Sequence, residues 1–222
     1  MKYTLPLFPL DTVLFPGMPL YLHIFEQRYR DMLKYVVDGQ SMTFGVVLIR
    51  QGMEALGPLA TPYPIGCTAR VMQVERLPNG CSNITVVGQD RFAILDMDAT
   101  SLPYLMGKVQ PLPLENPRPL DVLRGMRRLR CQVRDYLKQI SVYGSDGLDL
   151  TELELPDDPL NTLHMAAALL QIPTVEKQPL LAVDNASLML QQLERLYRRE
   201  LAILAPQSQT GEDAARRRAW LN

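Results

Sequence analysis

The sequence is short of the residues on which most enzyme and metal sites depend. Its 222 residues include only two histidines, three cysteines and one tryptophan. A zinc site needs four Cys or His ligands at close spacing, and His23 and His164 lie far from any pair of cysteines. The phosphate loop GxxxxGK[ST], the dinucleotide motif GxGxxG and the nucleophile motif GxSxG are absent as well. We therefore predict no catalytic residues, no bound metal and no cofactor, and we do not expect an enzyme.

The sequence also lacks the long apolar run that would cross a membrane. A spanning helix needs about 20 consecutive apolar residues, and no window supplies them. The apolar start, from Leu5 to Tyr29, is broken by four prolines and one glycine and contains Asp11, so it does not resemble a secretory signal. These absences predict a protein without membrane contact.

Strong net charge is missing too, and cysteine is scarce. The formal net charge is -1, so the whole molecule has no field that would attract nucleic acid or an anionic membrane. The three cysteines, Cys67, Cys81 and Cys131, are odd in number and widely spaced. This pattern predicts free, buried thiols in a reducing compartment, and hence a cytoplasmic location.

What is present in the first half is a series of short strand patterns. Apolar or alternating runs occur over 43–49, 66–77, 83–98 and 104–112, and Pro78-Asn79-Gly80 is typical of a hairpin turn. Gly88-Gln89-Asp90 predicts a break and a second turn. The prolines in Leu5–Leu10 predict an edge strand, because proline cannot donate to a central ladder. One helix, over 26–39, interrupts a β-barrel or sandwich, with Tyr29, Met32, Leu33 and Val36 on its apolar face.

The second half changes to helical periodicity after a proline-rich segment at 110–120. Apolar residues recur at intervals of three and four over 120–143 and again towards 204, and Asp158-Pro159 and Thr174 predict two further helix starts. We predict a β-rich subdomain over 1–112, a helical bundle over 118–205 and a flexible tail over 206–222.

A long loop in the first half holds the candidate peptide-binding residues. The segment 50–64 has too many glycines and prolines for regular structure, yet it carries Met53, Leu56, Leu59 and Tyr63. Apolar side chains on such a loop either fold back to cap the end of the barrel or offer a patch to a partner. Capping is the more common arrangement, and the sequence leaves both open.

The first helix of the bundle carries the candidate contact for an anionic partner. Arg124, Arg127, Arg134 and Lys138 fall on one side, away from the apolar stripe. A solvated face, partly neutralised by nearby aspartates, is the more common explanation. The functional alternative is RNA binding, although no aromatic residues interleave for base stacking and nucleic acid is not the favoured partner.

The opening segment LPLFPLDTVLFPGMPLYLHIFEQRYRDML resembles the Lon amino-terminal domain family, the substrate-binding module of Lon proteases that also occurs in cereblon. The similarity continues through IGCTARVMQVERLPNGCSNITVVGQDRFAIL and through IPTVEKQPLLAVDNASLMLQQL, and covers about 2–204. It is most specific where the opening motif and the later Glu176-Lys177-Gln178 occur in this order.

The resemblance implies an α+β fold, with a β-rich, PUA-like pseudo-barrel followed by a helical bundle. It also implies a protein- or peptide-binding role, as an adaptor for client proteins. The expected partners are unfolded or tagged polypeptides, a separate protease or chaperone, and further copies of the chain. The ATPase and Ser-Lys peptidase modules of Lon proteases have no counterpart in these 222 residues, so neither activity is expected.

Overall fold

The computed structural model describes residues 2–54, 60–143 and 153–219, and over these the protein is α+β. The strands are β1 (Tyr3–Leu10), β2 (Pro19–Ile24), β3 (Thr43–Gln51), β4 (Thr61–Pro62), β5 (Ile65–Arg76), β6 (Ser82–Asp98) and β7 (Leu105–Pro111). The helices are α1 (Gln27–Asp38), α2 (Pro119–Tyr143), α3 (Pro159–Leu169), α4 (Thr174–Ala182) and α5 (Ala186–Ala219). This is the predicted combination of a β-rich pseudo-barrel with a helical bundle.

The chain forms two compact units, and neither is continuous in sequence. The first unit comprises Met1–Glu115 and Ala167–Asp184, and the second comprises Asn116–Ala166 and Asn185–Asn222. The segment Ala167–Asp184 contains α4, which the sequence analysis placed in the helical subdomain 118–205. In the structure this helix groups with the strands, because its side chains bond to them, as described below.

The sheet closes on itself through β1, so the prediction that Leu5–Leu10 is an edge strand is wrong. The hydrogen-bonded order is β1-β7-β6-β5-β3-β4, and β1 also pairs with β3. The first part of β1, from Tyr3 to Leu7, runs antiparallel to β7. The last part, from Leu7 to Leu10, runs parallel to β3. The strand therefore lies inside the barrel wall and exchanges one neighbour for the other at Leu7.

This exchange of partners explains how a strand with two prolines can lie in the wall. Pro6 lies in the part that pairs with β7, and Pro9 lies in the part that pairs with β3. Because they are three residues apart, their nitrogens point to opposite edges of the strand. Each proline can thus direct its nitrogen, which carries no hydrogen, away from the partner of its own part.

Strand β6 runs without a turn, so the predicted hairpin turn at Gln89-Asp90 is wrong, whereas the predicted break at Gly88-Gln89-Asp90 coincides with an irregular register against β5 between Gly88 and Arg91. The strand runs for 17 residues and pairs with β5, β2 and β7, with irregular registers at two points along β5 and one along β7. The hairpin at Pro78-Asn79-Gly80 is confirmed, since the Leu77 amide donates to the Cys81 carbonyl at 2.9 Å. Gly80 has the positive φ, +77°, that such a turn requires.

Helix α1 packs the predicted apolar face onto the strands of the first unit. Tyr29, Met32, Leu33 and Val36 are all buried, as the three-and-four spacing predicts. They join a core cluster with residues of β1, β3, β5 and β6, in which the rings of Phe8 and Tyr29 lie 4.1 Å apart. Ile24 of β2 belongs to the same cluster, so this strand also packs against the core.

The second unit is built on contacts of α2 with α5. The rings of Tyr136 and Tyr197 meet edge to face at 5.4 Å, and the Tyr197 hydroxyl donates to the Ala166 carbonyl at 2.7 Å. Arg130 of α2 donates to the Pro156 carbonyl and to Thr162 Oγ1, which holds the start of α3 against α2. Helix α5 continues to Ala219, through most of the segment that the sequence analysis predicted as a flexible tail.

The three cysteines are free, but they are not all buried as predicted. Cys67 is fully buried, Cys81 is partly buried and Cys131 is exposed. Cys131 lies on the solvent side of α2. The buried face of this helix is formed by other residues, among them Leu129 and Val133. None of the helices in the described ranges is both long enough and apolar enough to span a bilayer.

Candidate polypeptide-binding site

Strand β2 is the centre of the candidate site, because it forms the margin of the sheet. All six of its residues pair with β6, from Pro19 opposite Val87 to Ile24 opposite Ser82, and β6 is its one partner strand among the described residues. Its apolar side chains Leu20, Leu22 and Ile24 point to the core, and Tyr21 and His23 point to solvent. Alternation of this kind is what a half-buried strand requires.

A groove runs along β2 and is closed by apolar side chains from elsewhere in the first unit. It has a volume of about 290 Å³. Phe8, Leu10 and Tyr29, all buried, line it from β1 and α1, and Glu54 lines it from the loop after β3. An apolar floor with a few polar groups at its rim is typical of a site that binds part of another molecule.

Arg28 fixes the rim of the groove at the start of α1. Its guanidinium forms an ion pair with Glu26 at 2.9 Å and lies over the Tyr29 ring at 4.7 Å from the centroid. It also donates to the Glu54 carbonyl at 3.5 Å. Burial raises the pKa of Tyr29 to about 12, so the ring remains uncharged at neutral pH.

Two carboxylates, that of Glu54 at the rim of the groove and that of Glu75 two strands away from β2, form no ion pair with a described residue. Glu54 Oε2 accepts from the backbone amide of Asp11 at 2.9 Å. On the outer face of the sheet, His23, Asn83 and Glu75 form a row across three strands. His23 Nδ1 lies 2.8 Å from Asn83 Oδ1, and Asn83 Nδ2 donates to Glu75 Oε2 at 3.2 Å. One hydrogen bond therefore holds each of the two carboxylates in place.

The structure describes two of the four candidate peptide-binding residues. Met53 is 59% exposed, so its side chain does not cap the barrel. Tyr63 is partly buried, and its amide donates to the Leu48 carbonyl at 2.8 Å. Leu56 and Leu59 lie outside the described residues. Met53 is the neighbour of Glu54, which brings one end of the predicted loop to the rim of the groove.

The candidate contact for an anionic partner is a solvent-exposed surface of α2. Arg124, Arg127, Arg134 and Lys138 are all exposed. Arg124 lies 3.9 Å from Asp121, and the adjacent Arg128 lies 3.7 Å from Glu194. This is the arrangement of a solvated helix face with weak ion pairs. Among the described residues there is also no cluster of three or more Asp, Glu, His or Cys side chains suited to a metal ion.

The sequence analysis missed β2 as a binding element, although a signal was present. In Tyr21, His23 and Phe25, every second residue is aromatic or imidazole, and these side chains are exposed. The rings of His23 and Phe25 stack at 6.0 Å. Large rings on the solvent side of a short apolar strand are unusual for a surface with no partner.

Over the described residues, the first unit is a closed β-barrel with an apolar groove beside β2, and the second unit is helical. Residues 4–199 match the family described as the ATP-dependent protease La (LON) substrate-binding domain. The chain belongs to this family.

Whole Lon proteases are among the similar proteins. The chain is 25% identical over 219 residues to the Lon protease of Porphyromonas gingivalis, covering 92% of this chain and 24% of that protein. It is 26% identical over 198 residues to the Lon protease of Parabacteroides distasonis, covering 88% and 23%. The chain thus spans about a quarter of the length of these relatives.

Solved structures with the same fold include two amino-terminal domains. A Lon N-terminal domain protein from Xanthomonas campestris aligns with a TM-score of 0.60 at 24% identity, covering 86% of this chain and 96% of that one. The N-terminal domain of a Mycobacterium avium complex Lon protease aligns with a TM-score of 0.59 at 16% identity, covering 88% and 98%. The comparisons give no support to the RNA-binding alternative.

Proposed function

We propose that this protein is a non-catalytic module that binds segments of unfolded or tagged polypeptides and presents them, as an adaptor, to a separate protease or chaperone. The observation that carries the proposal is the match to a substrate-binding domain family over residues 4–199. The apolar groove beside β2 is consistent with it, because unfolded chains expose the apolar side chains that such a groove would bury.

The absence of catalytic machinery is part of the same proposal. The titratable groups that line the groove are Tyr21, His23, Glu26, Tyr29 and Glu54. Glu26 is engaged in the ion pair with Arg28, and burial raises the pKa of Tyr29 to about 12, so that ring is not poised to transfer a proton at neutral pH. We further propose that the module works in the cytoplasm, a location consistent with its three free thiols.

The test is binding of a permanently unfolded protein, such as reduced and carboxymethylated α-lactalbumin, compared with the same protein in its native state. We expect saturable binding of the unfolded form only, measured by fluorescence anisotropy. Met53→Asp should weaken binding roughly tenfold, because it places a charge beside the apolar groove.

Two variants serve as controls. Met97→Asp makes the same change at another exposed methionine, on β6 and outside the groove, and should bind as the unaltered protein does. The double variant Arg127→Gln with Arg134→Gln should also bind normally, because the basic face of α2 has no part in the proposal. Equal binding of native and unfolded protein, or no binding of either, would remove the proposed function.

A further inference from the structure

We propose that a bound segment adds a strand to the open edge of β2, and that segments alternating apolar with basic residues bind best. The inference rests on the proposed function and deepens it, since it names the binding element and the chemistry of the client. The occupant to which it commits is an extended stretch of another polypeptide.

The first argument is the state of the β2 edge. A strand with one partner leaves the N–H and C=O groups of alternate residues directed away from the sheet. Beyond its ladder with β6, no backbone hydrogen bond joins residues 19–25 to the rest of the described chain. Three of the six residues of β2 therefore direct their main-chain groups to the free edge, where an added strand could bond to them.

The second argument is that β2 lacks the devices by which edge strands usually avoid pairing. Its sequence, PLYLHI, contains no lysine or other charged residue, and its proline lies at the first position. The other margin, β4, is two residues long and ends in Pro62. Only β2 is long and unprotected among the marginal strands that the structure describes.

The third argument is the alternation that an added strand would bring. Successive side chains of a strand project to opposite faces. On one face they would enter the groove over Phe8, Leu10 and Tyr29, which suits apolar residues. On the other they would lie over the outer surface, where Tyr21, His23, Asn83 and Glu75 border a cavity of about 410 Å³.

The fourth argument is charge. Glu75 lies on the outer surface and Glu54 lies at the rim of the groove, and neither forms an ion pair with a described residue. Both are fixed by a hydrogen bond, so a cation can approach without first ordering them. Lysine or arginine at the alternate positions that face the outer surface would bring positive charge to the side of the sheet where Glu75 lies.

The experiment uses the full chain and a fluorescein-labelled peptide of alternating valine and lysine. Two further peptides carry N-methyl groups, one on the valine amides and the other on the lysine amides. In an extended strand the amides of alternate residues point to the same edge, so only one set faces β2 once the valines occupy the groove. We expect one methylated peptide to lose at least roughly tenfold in affinity and the other to bind within about twofold of the parent. Equal effects of the two methylations would overturn the inference.

Protein variants test the charge argument. Glu75→Gln keeps the acceptor for Asn83 and removes the charge, and it should weaken binding of the lysine peptide by roughly three- to tenfold at low salt. The same peptide with glutamate in place of lysine should bind weakly to the unaltered protein. It should bind more tightly to the Glu75→Gln variant than to the unaltered protein. Asp135→Asn, an exposed aspartate of α2, is the matched control and should change nothing. An equal loss in Asp135→Asn would show a general charge effect and contradict the role of Glu75.

The outcomes separate this inference from the proposed function. If unfolded α-lactalbumin binds and the alternating peptide does not, strand addition at β2 is wrong and the proposed function stands. If neither binds, both fall. If the chain dimerises and the peptide competes with dimerisation, the edge is occupied by a second copy of the chain, which overturns the assignment to client segments.

Discussion

Gly88 illustrates how one residue can be misjudged from its type alone. Glycine followed by Gln-Asp predicts a turn, yet Gly88 lies in the middle of β6 with its amide and carbonyl both bonded. Its carbonyl accepts from Gly17 at 2.8 Å, and its amide donates to Met18 at 2.9 Å. A Cβ at this position would lie 2.2 Å from the Phe15 carbonyl oxygen. The glycine is therefore required by the close approach of the 15–18 turn.

We predict that Gly88→Ala destabilises the protein by roughly 2–4 kcal/mol, because the backbone of the 15–18 turn must move to admit the methyl group. Urea denaturation followed by circular dichroism measures the change. The matched substitution is Gly17→Ala, which has nothing within 4 Å of the new Cβ but a φ of +79°. It should cost only about 1–2 kcal/mol, the strain of a left-handed backbone conformation. A smaller effect at Gly88 than at Gly17 would contradict this account.

At the scale of elements, α4 is joined to the barrel by buried polar side chains rather than by apolar contacts alone. Gln178 donates from Nε2 to the Ile65 carbonyl at 2.8 Å, and Lys177 donates from Nζ to the Ala168 carbonyl at 3.0 Å. Arg91 of β6 donates to the carbonyls of Leu181 and Val183 at the end of the helix. Gln178 and Arg91 therefore attach α4 to the barrel, and Lys177 attaches it to the end of α3.

Arg91 is the sharpest test of this attachment. It is 3% exposed, and burial lowers its pKa, an effect opposed by Asp184. A cation at a helix C-terminus satisfies carbonyls that have no partner within the helix. Arg91→Met would leave them without that donor, and we expect a loss of roughly 2–4 kcal/mol together with faster amide exchange in α4.

The control for this variant is Arg70→Met, at an exposed arginine of β5. It should change the free energy of unfolding by less than about 0.5 kcal/mol and leave exchange in α4 unchanged. If Arg91→Met were equally harmless, the carbonyls of α4 would not depend on this side chain.

At the scale of the whole molecule, the shifted acids predict a loss of stability in alkali. Burial raises the pKa of Cys67 from 9.0 to about 12 and that of Tyr29 from 10.0 to about 12, and it also raises the pKa of Tyr197 in the second unit. Each group remains protonated in the folded state at a pH where the unfolded chain has released its proton. The stabilisation is therefore complete below pH 9.0 and is lost as the pH rises towards about 12.

Denaturation curves between pH 8 and pH 11 measure this loss. Above pH 9.0, the Cys67 thiol alone should lower the free energy of unfolding by up to about 1.4 kcal/mol per pH unit. The variant Cys67→Val has no ionisable group at this position. Its free energy of unfolding should therefore begin to fall only at a higher pH, where the tyrosines begin to titrate. An identical pH dependence in the two proteins would show that Cys67 is not buried as the structure has it.

Local pattern was sufficient for much of the fold. Helix α1 and its buried face, strands β3, β5 and β7, and the hairpin at Pro78-Asn79-Gly80 all follow from periodicity or turn chemistry within a few residues. In each of these cases the decisive forces act between near neighbours in sequence.

The partners of β1, the continuity of β6 and the open edge of β2 were decided by tertiary structure. Leu7 pairs with Gly45 and Leu105, and Gly88 lies against the backbone of Phe15. The residues that fix these strands are therefore tens of positions away from them in the sequence. The grouping of α4 with the barrel depends in the same way on Gln178 meeting Ile65. The sequence by itself determined which segments are strands and helices and which family they resemble. Only the fold decided which strand edge has no partner among the described residues, because strand pairing depends on residues distant in sequence and a local pattern does not show it.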